Sequence, residues 1–165
     1  MLAIIIIIRY EDLQVSKKIA AGAFGVVYRG KFLGANVAVK EVFFNSSSDP
    51  GVLEEFVKEA RLLANLHHPC VVRMVGVCER APHLYLVTEL LQTSLQHLIT
   101  NRSAPSELRR VKIARDVSQG MAFLHSLGVI HRDLKSGNVL LDELWRAKVS
   151  EAKGVCVCCV CCVWL

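Results

Sequence analysis

A carboxylate, a lysine and a carboxamide fall within six residues in the run Val129–Ile130–His131–Arg132–Asp133–Leu134–Lys135–Ser136–Gly137–Asn138–Val139–Leu140–Leu141. Such a carboxylate can accept a hydroxyl proton, such a lysine can neutralise charge developing on a phosphoryl group, and an asparagine oxygen can ligate Mg²⁺. Apolar, strand-like residues flank the string and would anchor it from both sides. A second lysine, Lys40, ends the apolar run Val37–Ala38–Val39, an expensive place for an unpaired ammonium. The expected anionic partner is Glu59, three residues after Phe56 and four before Leu63, at the edge of a helical stripe. A surface lysine and a surface glutamate form the plainer alternative. Further upstream, Ala20–Ala21–Gly22–Ala23–Phe24–Gly25–Val26–Val27 occupies the turn of a hairpin. Glycines there let backbone N–H groups approach an anion, but a tight hairpin would use the same glycines, and both readings stay open.

The elements that must position these groups follow from periodicity. Residues 10–45 alternate apolar and polar around glycines, with β-rich stretches at Val26–Tyr28 and Asn36–Val39, and read as a meander of antiparallel strands. The run Ser46–Ser47–Ser48–Asp49–Pro50–Gly51 is a loop. It leads to a helix at about 52–66, where Val52, Phe56, Ala60 and Leu63 recur at helical spacing. Two further strands are expected near 71–78 and 83–89, then a short helix around 94–100. A long helix follows, with Leu108, Val111, Ala114, Val117, Met121 and Leu124 as its apolar stripe, stopped near Gly128. Strands with one helix, then mostly helix, describe an α+β chain with two lobes.

Composition narrows the class. The chain has 165 residues, 53% of them hydrophobic, and a formal charge of +5. Two wholly apolar runs, residues 2–8 and 155–165, inflate the hydrophobic share; without them it falls to about 47%, an ordinary globular value. Neither run reaches the ~18–20 apolar residues of a membrane span. The isoleucine run has its only nearby charge, Arg9, on the wrong side for a signal peptide and no small-residue cleavage site after it. Five of the seven cysteines crowd the C-terminal run, while Cys70 and Cys78 lie in apolar stretches and read as buried thiols. The body therefore reads as reduced and cytoplasmic. The modest, scattered basic excess suits a solvated surface and not a nucleic-acid groove.

Three strings now stand in order: AAGAFGVV, VAVK and HRDLKSGN. Together they resemble the Gly-rich loop, the strand lysine and the catalytic loop of the protein-kinase family. The wording of YEDLQVSKKI, HHPCVVRMVGVC and IHRDLKSGNVLL is closest to its tyrosine-kinase-like group, and Lys135, two residues after Asp133, points to Ser/Thr specificity. The resemblance covers residues 10 to about 150. It implies a two-lobe fold: a five-stranded antiparallel N-lobe sheet with one helix (about 10–88), a hinge (89–94), and an incomplete, mainly helical C-lobe (95–150). It also implies a protein Ser/Thr substrate and ATP with Mg²⁺. Ala20, Gly22 and Gly25 would then cover the ATP phosphates, and Lys40 would hold them, oriented by Glu59. Val27, Ala38 and Leu140 would sandwich the adenine, Thr88 would be the gatekeeper, and Glu89 to Leu91 would present hinge backbone groups. Asp133 would orient the substrate hydroxyl, Lys135 would steady the γ-phosphoryl, and Asn138 would bind Mg²⁺.

The chain also departs from the family. Ala20 replaces the first loop glycine. After Ser150 the family continues with Asp-Phe-Gly, and here those positions are Glu151, Ala152 and Lys153. Glutamate keeps the charge for Mg²⁺ on a longer arm, and Ala152 leaves a gap where a phenylalanine would pack. The activation segment and the helices that follow it in the family are not found, so the helix at 106–126 is expected to expose an apolar patch, and the chain to be a weak or inactive enzyme. A pseudokinase-like fragment that binds nucleotide or a partner is the alternative. Residues 1–9 and 151–165 stand apart as an Ile-rich leader and a Cys/Val-rich tail. For the tail, soft-metal binding lacks a histidine or a second cluster. Prenylation at Cys162, within the terminal Cys162–Val163–Trp164–Leu165, would be the one route to a membrane. The plainest reading is translation of a GT-rich repeat, since Val, Cys, Trp and Leu share G- and T-rich codons.

Overall fold

The structure, a computed structural model, describes residues 5–22, 25–43, 56–57, 60–80 and 82–150. The chain divides into two compact units, the first holding residues up to Asn65 and Arg73–Leu90, the second Leu66–Val72 and Leu91 onward. Each is built around its own sheet.

In the first unit a short 3₁₀ turn, Tyr10–Asp12, leads into β1 (Leu13–Gly22), β2 (Gly25–Phe32), β3 (Ala35–Phe43), β4 (Met74–Arg80) and β5 (His83–Glu89). These form an antiparallel sheet in the order β1-β2-β3-β5-β4. The meander and the five-stranded sheet read from the sequence are present. The strand expected at 71–78 begins only at Met74, because Val71 and Val72 are taken up by a different pairing in the second unit. Side-chain alternation sorts the sheet cleanly. Val37, Val39, Cys78, Tyr85 and Val87 pack on one face with Leu13 and Ile8. Strand β5 is buried on both faces, with Leu84 at 2% and Leu86 at 6% exposure opposite Tyr85 and Val87, as befits an interior strand. Residues 56–57 and 60–64 are helical, and Phe56, Ala60 and Leu63 are buried as the periodicity required; Val52 lies outside the described residues.

The Ile-rich leader, set apart on composition, joins this sheet. Ile8 N donates to Val77 O at 2.7 Å and Val77 N to Ile6 O at 2.9 Å, a parallel bridge on the free edge of β4. Ile8 is 2% exposed. Three apolar residues in extended form are enough to cap a sheet edge that would otherwise present unpaired backbone groups.

The second unit holds β6 (Thr93–Ser94), α1 (Leu95–Thr100), α2 (Glu107–Ser126), β7 (Val139–Leu141) and β8 (Ala147–Val149), with the sheet ordered β6-β7-β8. Ser94 caps α1, its Oγ accepting from His97 N at 3.1 Å. Helix α2 ends in a reciprocal cap: Val129 N donates to Leu124 O and Gly128 N to His125 O, both at 2.9 Å. The segment Leu66–Val72, before β4, groups with this unit. Val72 N donates to Val149 O and Val149 N to Cys70 O, each at 2.9 Å, which sews residues 70–72 onto β8.

The apolar stripe expected on α2 needs correction. Ile113, Asp116, Gly120 and Leu124 form its buried side, whereas Leu108 is 84% and Val111 65% exposed. Three-residue steps fall about 60° short of a full turn, so 108, 111, 114 and 117 wind around the helix instead of sharing a face. The four-residue spacing from Asp116 to Leu124 marks the real stripe. Leu134 at 47% and Leu144 at 71% are also exposed in this unit. No helix among the described residues is long and apolar enough to cross a membrane.

Candidate active site

Strand alternation places the first unit's candidate residues together. Val27 pairs with Lys40 and Lys40 with Leu86, while Ala38 pairs with Thr88. Cross-strand partners share a face and residues two apart share it too. Val27, Ala38, Lys40 and Thr88 therefore lie on the face opposite the Val37–Val39–Val87 core, with Ala20 joining through its pairing with Val27. The apolar string that ends in Lys40 thus divides into two core valines and two half-buried residues turned the other way.

The β1–β2 hairpin closes at the Gly22–Gly25 pair. Gly25 has φ +128°, and a Cβ there would sit 2.1 Å from Glu41 O, so this position excludes every side chain. Thr88 Oγ1 donates to Glu89 O at 3.4 Å. Glu89 is tied back to the start of β4: its N–H donates to Arg73 O at 3.0 Å and its Oε1 accepts from Arg73 N at 2.8 Å. Its backbone donor is therefore already used. The chain passes from the first unit to the second between Leu90 and Leu91, and Gln92 N then bonds Leu141 O at 2.9 Å.

In the second unit the loop between α2 and β7 is organised by His131, 1% exposed. Its Nε2 lies 2.7 Å from Ser150 O and its Nδ1 accepts from Asp133 N at 3.3 Å, so the proton sits on Nε2. Arg132 between them has φ +61°, a reversal that turns Asp133 outward from the buried imidazole. Lys135 Nζ meets the Asp133 carboxylate at 2.9 and 3.1 Å. Asn138, 6% exposed, donates from Nδ2 to Asp133 O at 2.8 Å and to Asp133 Oδ2 at 3.0 Å. Its own backbone is held on both sides, N–H to Lys135 O and C=O from Ser150 N, both at 2.9 Å. Leu140 points away from the buried Val139 and Leu141 and pairs with Ser94 and Lys148.

Asp133, Lys135 and Asn138 are thus brought into direct contact, and the sheet face gathers Ala20, Val27, Ala38, Lys40 and Thr88. Gly22 and Glu89 end strands β1 and β5, Leu91 is the first residue of the second unit after Leu90, and Leu140 is the central residue of β7. Glu59, Glu151 and Cys162 lie outside the described residues. No group of three or more His, Cys, Asp or Glu side chains assembles a metal cage among the described residues. One oxygen fits a hard cation all the same: both Nδ2 hydrogens of Asn138 are used on Asp133, which leaves Oδ1 as its remaining polar atom, beside a carboxylate.

Three polar residues escaped the sequence reading. Asp116, 5% exposed, accepts from Ala147 N at 3.0 Å and pins β8 to α2; its place in the four-residue stripe was the available signal. Ser136 donates from Oγ to Gln96 Oε1 and ties the loop to α1. Glu41, 8% exposed, takes His83 Nδ1 at 2.8 Å and Tyr85 Oη at 3.4 Å on the core side of the first sheet. Burial and the Glu41 carboxylate push the Tyr85 hydroxyl up to about 12, and its hydrogen bond to Glu41 raises Tyr28. Cys70 and Cys78 are free, buried thiols whose pKa values burial pushes up.

Residues 13–156 match the family model described as protein tyrosine and serine/threonine kinase. A probable serine/threonine-protein kinase of Dictyostelium discoideum is 39% identical over 146 residues, covering 87% of this chain and 16% of its own length. A RasGEF domain-containing serine/threonine-protein kinase of the same organism is 38% identical over 145 residues, with 87% and 15% covered. A probable serine/threonine-protein kinase of Arabidopsis thaliana is 38% identical over 148 residues, with 87% and 14% covered. The chain spans about a sixth of the length of these relatives, or less.

Proposed function

The chain belongs to the protein kinase family, and from that premise we propose that it carries the catalytic core of a protein serine/threonine kinase, which binds ATP with Mg²⁺ and transfers the γ-phosphoryl to a Ser or Thr hydroxyl of a protein. The observation that carries this reading is the bonded set Asp133–Lys135–Asn138.

The chemistry assigned to each residue follows from its state in that set. Asp133 Oδ atoms accept the substrate hydroxyl's hydrogen bond and take its proton as the oxygen attacks phosphorus, ADP leaving on the far side. Lys135 sits on the same carboxylate and is placed to share its charge with the transferring phosphoryl oxygens. In the first unit Lys40 would contact the ATP phosphates, with Glu59 as its orienting partner, beneath the Gly22–Gly25 turn. Val27, Ala38 and Leu140 would contact the adenine, with Thr88 as gatekeeper and Glu89 C=O and Leu91 as backbone partners. The Mg²⁺ ion would be held by Asn138 Oδ1, with Glu151 as second ligand, and supplies neutralisation of phosphate charge. Glutamate at that position, one methylene longer than aspartate, and Ala152 beside it place the expected turnover low. A cytoplasmic setting suits the two reduced thiols.

Glu151 and Ala152 favour a second reading, a fragment that binds nucleotide or a partner without transfer. One pair of measurements separates the two. Phosphoryl transfer from labelled ATP to a Ser/Thr protein substrate, lost in Asp133→Asn while ATP·Mg²⁺ binding persists, supports catalysis. Binding without transfer supports the second reading, and neither binding nor transfer overturns both.

A further inference from the structure

Helix α2 turns two apolar side chains to solvent, Leu108 at 84% and Val111 at 65% exposure, which neither the core nor the candidate active site uses. They share one outward face with Lys112 and Arg115, because positions i, i+3, i+4 and i+7 follow one another along a single side of a helix. All four are exposed. The β7–β8 turn abuts the same part of the helix. Lys112 Nζ donates to Leu144 O at 2.7 Å, and the Arg109 guanidinium lies 4.1 Å above the Trp145 ring. Leu144, 71% exposed, therefore stands beside the helix at Lys112.

The charge around these side chains is mostly of one sign. From Glu107 to Asp116 the helix carries Arg109, Arg110, Lys112 and Arg115 against a single exposed carboxylate, Glu107, since Asp116 is buried and accepts from Ala147 N. In the turn, exposed Glu143 is offset by exposed Arg146, and the Asp142 carboxylate accepts from Leu144 N and Arg146 N. The whole chain is cationic, at +5.

That charge decides between occupants. A second copy docked on the same face would set cations against cations across a two-fold axis. A stable protein interface needs roughly 800 Å² from each partner, whereas three protruding apolar side chains offer a few hundred Å². An anionic bilayer needs neither symmetry nor a large area. Protruding leucines enter its interface to about 5–10 Å while lysines and arginines stay at the phosphates. Each cation near an anionic leaflet adds roughly five-fold in affinity. The helix would lie on the bilayer and not across it, as no described helix is long and apolar enough to cross.

From this shared face and its charge we infer that the Leu108–Arg115 side of α2, with Leu144 of the β7–β8 turn, is a peripheral docking surface for anionic phospholipid bilayers. The inference concerns the second unit alone and holds with or without phosphoryl transfer.

Cosedimentation of the full chain with vesicles tests it. Phosphatidylcholine vesicles holding about 30% phosphatidylserine should retain the chain, pure phosphatidylcholine should retain several-fold less, and about 0.5 M NaCl should release most of it. Leu108→Ser with Leu144→Ser, and separately Lys112→Glu with Arg115→Glu, should each weaken binding to the anionic vesicles by about tenfold or more. Leu33→Ser removes a leucine 81% exposed in the first unit and should leave binding unchanged. In a Trp164→Phe chain, lipids with brominated acyl chains should quench Trp145, which places the turn at the bilayer; no quenching would overturn the inference. So would parent-like binding by both double variants, which assigns adsorption to another part of the chain, the apolar C-terminal run included. Equal binding to the two vesicle types, a loss confined to the charge variant, or an equal loss in Leu33→Ser would overturn it as well. No vesicle binding by the parent would overturn it in favour of a protein partner, and a lipid-free dimer abolished by Leu108→Ser in favour of a second copy.

Discussion

Asn138 holds Asp133 by backbone and side chain at once, its Nδ2 donating to the peptide oxygen at 2.8 Å and to Oδ2 at 3.0 Å. With Lys135 Nζ on the same carboxylate, both oxygens of Asp133 are bonded and the rotamer is fixed before any substrate arrives. Under the proposed function this would be preorganisation, the ordering of the carboxylate being completed during folding.

Asn138→Ala should therefore cost on two counts. Losing two bonds from a residue that is 6% exposed and leaving the Asp133 carbonyl short of a partner should destabilise the chain by about 1–3 kcal/mol in urea denaturation. Phosphoryl transfer should fall by an order of magnitude or more, measured on the fraction still folded. A variant within about 0.5 kcal/mol of the parent would mean that the two bonds do not hold the loop.

The Gly25 position makes a separate demand. At φ +128°, with a would-be Cβ 2.1 Å from the Glu41 carbonyl, Gly25→Ala must shift backbone against backbone at the mouth of the hairpin. Strain of this kind runs to about 1–3 kcal/mol. A fall in Tm by several degrees is expected, together with weaker ATP·Mg²⁺ binding, since the same turn is assigned to the phosphates. Unchanged Tm would show that the β2–β3 pairing relaxes around the methyl group.

Glu41 and Tyr85 make stability fall at high pH. The Tyr85 hydroxyl, pushed up to about 12 by burial and then by the Glu41 carboxylate, stays protonated in the folded chain where the unfolded chain has lost its proton. Below pH ~10 both states keep the proton and the contribution is whole. Between about 10 and 12 the folded state binds more protons, so stability declines by at most ~1.4 kcal/mol per pH unit for this one group. Tyr28, raised by the same carboxylate, adds in the same direction. Thermal melts from pH 9 to 12 should show the decline, and Tyr85→Phe should flatten it. An equal slope in the variant would place the titration elsewhere.

Much of this was legible before any coordinates, for reasons that differ by residue. The chemistry-bearing strings were local: Asp133, Lys135 and Asn138 sit within six residues, so a loop of that length must hold them close. The sheet followed from alternation, and the split of Val37 and Val39 from Ala38 and Lys40 is that alternation made physical. Glu41 was not legible, because a charged residue at the end of a strand reads as exposed unless the partner strand is known to bring His83 and Tyr85 opposite it. Asp116 was hidden by the competing three-residue pattern of Leu108, Val111 and Ala114. The transfer of Leu66–Val72 to the second unit depends on pairing with Val149, nearly eighty residues away, which no local signal carries. At the isoleucine run a low-complexity appearance concealed a backbone bridge to the edge of β4.

That bridge gives the last prediction. Ile8 is 2% exposed among Leu13, Val37, Val39 and Cys78, so Ile8→Ala should cost about 2–4 kcal/mol, far more than a dispensable leader would allow. Gly76 allows the approach: a Cβ there would lie 2.5 Å from Ile6 O and 3.0 Å from the Ile8 side chain. Gly76→Ala should displace the same segment and lose much of the same energy. Because both substitutions break one contact, the double variant should be less destabilised than the sum of the two by 1 kcal/mol or more. Denaturant melts of the four chains measure this directly. Simple additivity, or an Ile8→Ala cost below about 0.5 kcal/mol, would show that the leader rests on the β4 edge without contributing to the fold.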